Sequence, residues 1–308
     1  MQRLDLVAIG RLIRETIKFP HKTIGPVLGS PAAYFSVAVV RLGVKAGITT
    51  KIGKDIAQDL LKSLIKAEVD ATGLRVEGED TTTNLLLYDA SGNKAFRYLK
   101  KAPDILFDDI PRSYLAAKIF FICPINHEVS LETIRYIHSL GKMVAMDLGG
   151  WGGAASTTHP EREKDYHNLR ELMKYLHIVK ASTEDCRYLF HSKDIPVNEI
   201  PHLFIEWGAK IGIVTLGENG SMVANKKGQL RVPVFPGNVI DCTGAGDVYS
   251  AGFLAEYLRT KNVEKSALFA SATASLVIED SGGVSAKRMP TRSEVLKRIR
   301  TMKNRYSV

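Results

Sequence analysis

The run Val239-Ile240-Asp241-Cys242-Thr243-Gly244-Ala245-Gly246-Asp247-Val248-Tyr249-Ser250-Ala251-Gly252-Phe253 holds the residue types and spacing best suited to chemistry. It follows a short apolar stretch and passes into an uninterrupted helical pattern over residues 251–258, which sets the Gly-Ala-Gly section at a helix N-terminus. There the free backbone N–H groups and the positive end of the helix dipole favour an anion. Side chains this small let a phosphate approach the backbone closely. Such a nest stabilises the charge that spreads over a transferring phosphoryl group. Asp247, in the first turn, is placed to take a proton from an attacking hydroxyl. The same spacing also fits a tight turn followed by a helix-capping acid. No Lys-Ser/Thr follows the last glycine, so this is not a Walker A loop.

The elements that must position this segment alternate along the chain. Short apolar runs at 4–9, 47–52, 118–122, 143–147, 178–180 and 211–215 read as buried strands. Helical patterns at 32–42, 55–66, 130–140, 166–175, 183–190 and 197–207 separate them. That rhythm predicts a mostly parallel sheet covered on both faces. Two stretches break it. Residues 82–89 and 93–98 flank Ala90-Ser91-Gly92 and read as a β-hairpin, which with a short strand near 24–28 makes either a small separate sheet or an edge hairpin of the main one. Gly149-Gly150-Trp151-Gly152-Gly153 reads as a flexible loop with no assigned role.

The 308 residues suit one large α/β domain, and 45% hydrophobic with 24% charged residues are ordinary globular values. The net charge of +9 is spread along the chain, dense only over residues 292–305, the solvated face of a final helix. No basic and aromatic recognition module points to nucleic acid. No apolar run is long enough to span a bilayer, and the first ten residues read as a strand and turn rather than a signal peptide. Three scattered cysteines, Cys123, Cys186 and Cys242, suit a reducing interior. The expectation is a cytoplasmic protein. The eight histidines show no HxxxH pairing, which argues against a zinc enzyme.

The segment ending at Asp247 resembles the C-terminal signature of the PfkB, or ribokinase-like, carbohydrate kinase family, Asp-Thr-x-Gly-Ala-Gly-Asp, with Cys242 in place of threonine. The resemblance covers nearly the whole chain. It implies a three-layer α/β/α domain over residues 1–308 with a mostly parallel central sheet, plus a small β-sheet lid built from segments near 11–28 and 82–100. It also implies ATP-dependent transfer to a hydroxyl of a small sugar or sugar-like substrate, with Asp247 as base and the Gly244, Ala245 and Gly246 amides as anion hole. A nucleoside or cyclitol kinase and a catalytically silent ligand-binding homologue are the alternatives.

Ile213-Val214-Thr215-Leu216-Gly217-Glu218-Asn219-Gly220-Ser221 resembles the family's nucleotide-binding strand and turn, with Thr215 and Gly217 at the ATP phosphates and Gly220 shaping the turn; the residues alone also fit a hairpin on Asn219-Gly220. Ser271 and Ala274 lie on a small-residue helix similar to the one packing beside the adenine. Glu184 falls where the family has the glutamate of Asn-x-x-Glu, which holds Mg²⁺ through water, although Ala181 replaces the asparagine; Ser182 as N-cap with Glu184 and Asp185 in the first turn is the alternative. Asp241, the Thr243 carbonyl and the Gly282-Gly283 turn match the family's monovalent-cation loops, which implies K⁺. For the acceptor, the resemblance implies Glu15, Gly29, Ser30 and Tyr34, where Ser30 replaces a glycine and Tyr34 an asparagine. Arg14 and Arg97 are candidate contacts for an anionic group. A homodimer through the lid edge is the assembly this arrangement allows.

Overall fold

The computed structural model describes residues 3–90, 94–156, 163–190 and 195–306. Two sheets organise it. The larger has nine strands in the order β13-β12-β11-β10-β9-β8-β1-β4-β5. Its parallel members are β1 (Leu6–Ile9), β4 (Ala46–Ile52), β5 (Asp70–Val76), β8 (Ile119–Ile122), β9 (Met143–Asp147), β10 (Ile178–Ser182) and β11 (Ile211–Thr215). The hairpin β12 (Ser221–Asn225) and β13 (Gly228–Val232) adds antiparallel to one edge. Strands such as β1, β4 and β8 are buried at every residue, because helices cover both faces.

Alternation along β1 shows the layers directly. Leu6 and Ala8 enter one core with α1 (Pro31–Arg41), α2 (Gln58–Lys66), α7 (Ala245–Thr260), α8 (Val263–Val277) and α9 (Arg292–Tyr306). Val7 and Ile9 enter the other with α3 (Leu131–Ser139), α4 (Glu163–Met173), α5 (Thr183–Leu189) and α6 (Ile200–Glu206). The result is the expected three-layer α/β/α arrangement.

The smaller sheet is separate, with order β3-β2-β6-β7: β2 (Ile13–Phe19), β3 (Lys22–Gly29), β6 (Thr83–Tyr88) and β7 (Lys94–Lys100). The segments anticipated near 11–28 and 82–100 supply it. Ser91 and Gly92 of the expected turn, and Asn93 of the expected strand, lie outside the described residues. The helix read as starting at residue 55 starts at Gln58 instead, since Asp55 accepts a hydrogen bond from the Thr81 amide. Among the described residues, no helix is long and apolar enough to cross a membrane.

Candidate active site

The segment singled out in the sequence does open a helix. Gly244 is the N-cap of α7, at φ 80°, a left-handed conformation that glycine adopts without strain. It brings no capping side chain. The Ala245 N–H is donated to the Cys242 carbonyl at 3.1 Å, closing the turn. Of the three expected amides, those of Gly244 and Gly246 are therefore the ones left for an anion. Asp247 is half-buried in the first turn.

A buried lysine stands beside this cup. A Cβ built on Gly246 would meet Lys180 Nζ at 2.9 Å, so a side chain there would displace the ammonium. Lys180, on β10, is in register with Asp147 at the end of β9, and its Nζ donates to Asp147 Oδ2 at 2.7 Å. Their side chains are 8% and 9% exposed. Burial disfavours the ammonium, but the carboxylates of Asp147, Asp185 and Asp247 outweigh it and push its pKa up. Lys180 thus stays a fixed positive charge at the helix tip.

Asp185 of α5 reaches this group, its carboxylate acting on Lys180. Ser182 caps α5 in a reciprocal capping box with Asp185, which turns Asp185 inward. Its Oδ2 accepts from Ser182 N and Oγ, each at 2.7 Å, and its Oδ1 from Ala154 N at 3.0 Å. Glu184, one position earlier, is half-buried. The Gly-rich loop packs onto the same acids: Gly149 N donates to Asp147 Oδ1, and a Cβ on Gly153 would lie 2.8 Å from Asp185 Oδ1. Asp147, Lys180 and Asp185 were not anticipated as site residues. The available signal was charge at the C-terminal ends of otherwise apolar strands.

Among the residues expected to meet the acceptor, Glu15 is buried on β2 opposite Asn84 of β6. Burial, with Asp241 nearby, pushes its carboxyl up to about 7 against the opposing pull of Asn84. The Asn84 amide is fully buried, and neither its nitrogen nor its oxygen completes a hydrogen bond of good geometry. Gly29 is needed beneath Glu15, because a Cβ there would come 2.7 Å from Oε2. Ser30 caps α1 by accepting from Ala33 N at 3.1 Å, at φ 103°.

Tyr34 is committed elsewhere than to an open pocket. It is 2% exposed, its ring lies directly under Gly244, and its hydroxyl meets Gly282 O and Arg288 Nη1. Arg97 also does not join the site. It is exposed on β7, while its neighbour Tyr98 faces inward and donates to Ala155 O and Ile125 O. Arg14 pairs instead with Asp55 at 3.5 Å. The small sheet touches the anion loop through Tyr88, whose hydroxyl lies 3.1 Å from Thr243 Oγ1.

Among the residues expected to meet the nucleotide, Thr215 ends β11 and its carbonyl accepts from Thr183 Oγ1. Gly217 is exposed at φ 58°, and Gly220, at φ 87°, lies so close to Val232 O that a Cβ would be 2.0 Å away. Ser271 Oγ is used by the Pro233 carbonyl at 2.6 Å, and Ala274 is half-buried on the same helix.

Residues 31–292 match the family described as pfkB family carbohydrate kinase. A cytidine kinase of Thermococcus kodakarensis is 29% identical over 270 residues, 85% of this chain and 91% of that protein. An uncharacterized sugar kinase of Archaeoglobus fulgidus is 30% identical over 252 residues, 79% and 94% of the two chains. Among solved structures, the ribokinase of Thermotoga maritima superposes with a TM-score of 0.77 at 22% identity, over 96% of this chain and 99% of that one. The Arabidopsis thaliana ribokinase complexed with ribose and ATP gives 0.77 at 21% identity, over 97% and 99%. These structural likenesses show a shared fold.

Proposed function

The chain belongs to the pfkB family of carbohydrate kinases, and from that premise we propose that phosphoryl transfer takes place at the tip of α7, with Asp247 as the base. The observation that carries this reading is the glycine-lined helix N-terminus with a half-buried carboxylate in its first turn and a buried ammonium against Gly246. These groups sit at the C-terminal edge of a parallel sheet, the usual ligand edge of such folds.

ATP presents its γ-phosphate to the Gly244 and Gly246 amides and to Lys180. The acceptor hydroxyl enters from the side of Glu15 and Asn84. As its oxygen bonds to phosphorus, the proton passes to the Asp247 carboxylate and the bond to the ADP oxygen breaks. The amides and Lys180 stabilise the charge on the equatorial oxygens without reorganising. Among the described residues no group of three or more His, Cys, Asp or Glu is ready to cage a metal. Mg²⁺ brought with ATP would be held through water by Glu184, half-buried on α5, and would neutralise charge on the leaving phosphates. The small sheet, linked to the anion loop through Tyr88, acts as the lid that excludes water.

The acceptor is a small sugar-like molecule. A nucleoside is the second reading, favoured by the likeness to a cytidine kinase over most of both chains. The unsatisfied Asn84 amide beside Glu15 supplies donors and an acceptor for neighbouring hydroxyls of either. Acceptor-dependent ADP release, measured with ATP and Mg²⁺ across free sugars, cyclitols and nucleosides, tests the reading. One class should raise release well above background; no stimulation by any of them would reject it.

A further inference from the structure

In the loops expected to hold a monovalent cation, the carbonyls of Asp241 and Gly282 already accept from a buried side chain. Arg288 is buried, its side chain 1% exposed. Its Nη2 donates to the Asp241 carbonyl at 2.9 Å and its Nη1 to the Gly282 carbonyl at 2.5 Å. Its Nε lies 3.2 Å from Asp280 O and 3.3 Å from Val277 O. Nη1 also donates to the Tyr34 hydroxyl at 3.2 Å. The Asp241 carboxylate, 3.5 Å from Nη2, balances the charge while its oxygens accept from Thr243 N and Gly282 N. One guanidinium thus joins the loop before α7 to the loop before α9.

A metal ion does not fit in that space. The Asp241 and Gly282 oxygens accept from the guanidinium, and a second cation beside it would be repelled. The arginine supplies the same positive charge, permanently and in a rigid planar fork. By holding the Asp241 carbonyl at the start of the 241–244 turn, it fixes the turn that presents the Gly244 and Gly246 amides. It also presses Tyr34 beneath Gly244, where no Cβ would fit.

We propose that Arg288 is a built-in cation that positions the anion hole, so that this kinase works without K⁺. The proposal rests on the reading of the α7 tip given above. Arg288 touches neither ATP nor acceptor in this scheme and is a positioning residue.

The test measures turnover of the wild-type protein in potassium chloride and in tetramethylammonium chloride at equal ionic strength, then repeats it for Arg288→Ala and Arg288→Lys. The wild type should change less than about 2-fold between the salts, while Arg288→Ala loses about 100-fold, the scale of one lost oxyanion donor. Millimolar guanidinium should restore Arg288→Ala at least about 10-fold and leave the wild type unchanged, a response that a purely structural loss would not give. Arg288→Lys, which keeps the charge without the fork, should fall between and fold normally if the alanine variant does not. A wild type that needs K⁺, or an Arg288→Ala protein as active as the wild type, overturns the proposal. Should the wild type phosphorylate no acceptor, the reading of the site fails, and the inference is then decided by melting temperature: guanidinium must raise that of the Arg288 variants and not that of the wild type.

Discussion

Replacing Lys180 by methionine removes a charge from the most crowded part of the site while roughly keeping its volume. Lys180 Nζ sits 2.7 Å from Asp147 Oδ2, with both side chains nearly closed to solvent. At an effective dielectric constant near 20, unit charges at that separation attract by roughly 6 kcal/mol before desolvation is counted. Breaking such a buried pair by removing one partner costs about 3–5 kcal/mol, since the other is left charged and buried. For a chain of 308 residues that lowers the melting temperature by roughly 5–8 °C. The catalytic effect is separate. Asp147 and Asp185 would then face the incoming phosphate uncompensated, so turnover should fall about 100–1000-fold and the KM for ATP should rise. Coupled ADP-release kinetics and thermal unfolding on the same samples measure both. Adding Asp147→Asn to Lys180→Met should recover much of the stability and none of the turnover. A Lys180→Met protein that melts lower yet turns over normally would refute the idea that the ammonium serves the phosphoryl group.

Two further outcomes follow from the acceptor side. Glu15 ionises at about 7 in the folded protein against 4.5 for the free side chain, so between these values the folded state holds the extra proton. Stability should therefore fall as pH rises from 4.5 to about 7, by about 3 kcal/mol at most at roughly 1.4 kcal/mol per pH unit. Denaturant unfolding of wild type and Glu15→Gln at pH 5 and pH 8 checks this: the wild type should lose more stability than the variant between the two values, and equal changes would contradict it. Ser30 holds φ 103° and ψ 148°, a region close to glycine-only, at a cost of about 1–3 kcal/mol. Replacing its cap by glycine loses only a few tenths of a kcal/mol, so Ser30→Gly should stabilise by about 1 kcal/mol or more; destabilisation in urea titrations would contradict that.

The alternation of buried strands and amphipathic helices was enough to read the three layers, because both periods leave a plain trace in residue type. The turn at Gly244–Gly246 was legible as a helix start from its small residues, but spacing alone fitted a capped tight turn equally well, and the family resemblance singled it out as a cup. The small sheet was only half legible. β2 carries Arg14, Glu15 and Lys18 among its apolar residues, and its parallel pairing with β6 joins segments far apart in the chain. The likeness to Asn-x-x-Glu singled out Glu184 and left Asp185 unremarked. The two differ by one helical position, and which turns inward is decided by the capping box with Ser182. Tyr34 read as a candidate acceptor contact because it stands where the family's Gly-Gly-x-x-x-Asn segment has its asparagine. In this chain the phenol is drawn under Gly244 by Arg288, a residue more than two hundred positions away whose partners are backbone carbonyls. Contacts of that kind leave no local pattern.

The central claim concerns one carboxylate, and the rate of phosphoryl transfer in Asp247→Asn tests it most directly. With ATP binding followed by calorimetry on the same protein, turnover should drop about 100–10,000-fold, the range for loss of a general base, while nucleotide affinity stays close to that of the wild type. Transfer at the wild-type rate in that variant would place the base elsewhere and undo the account.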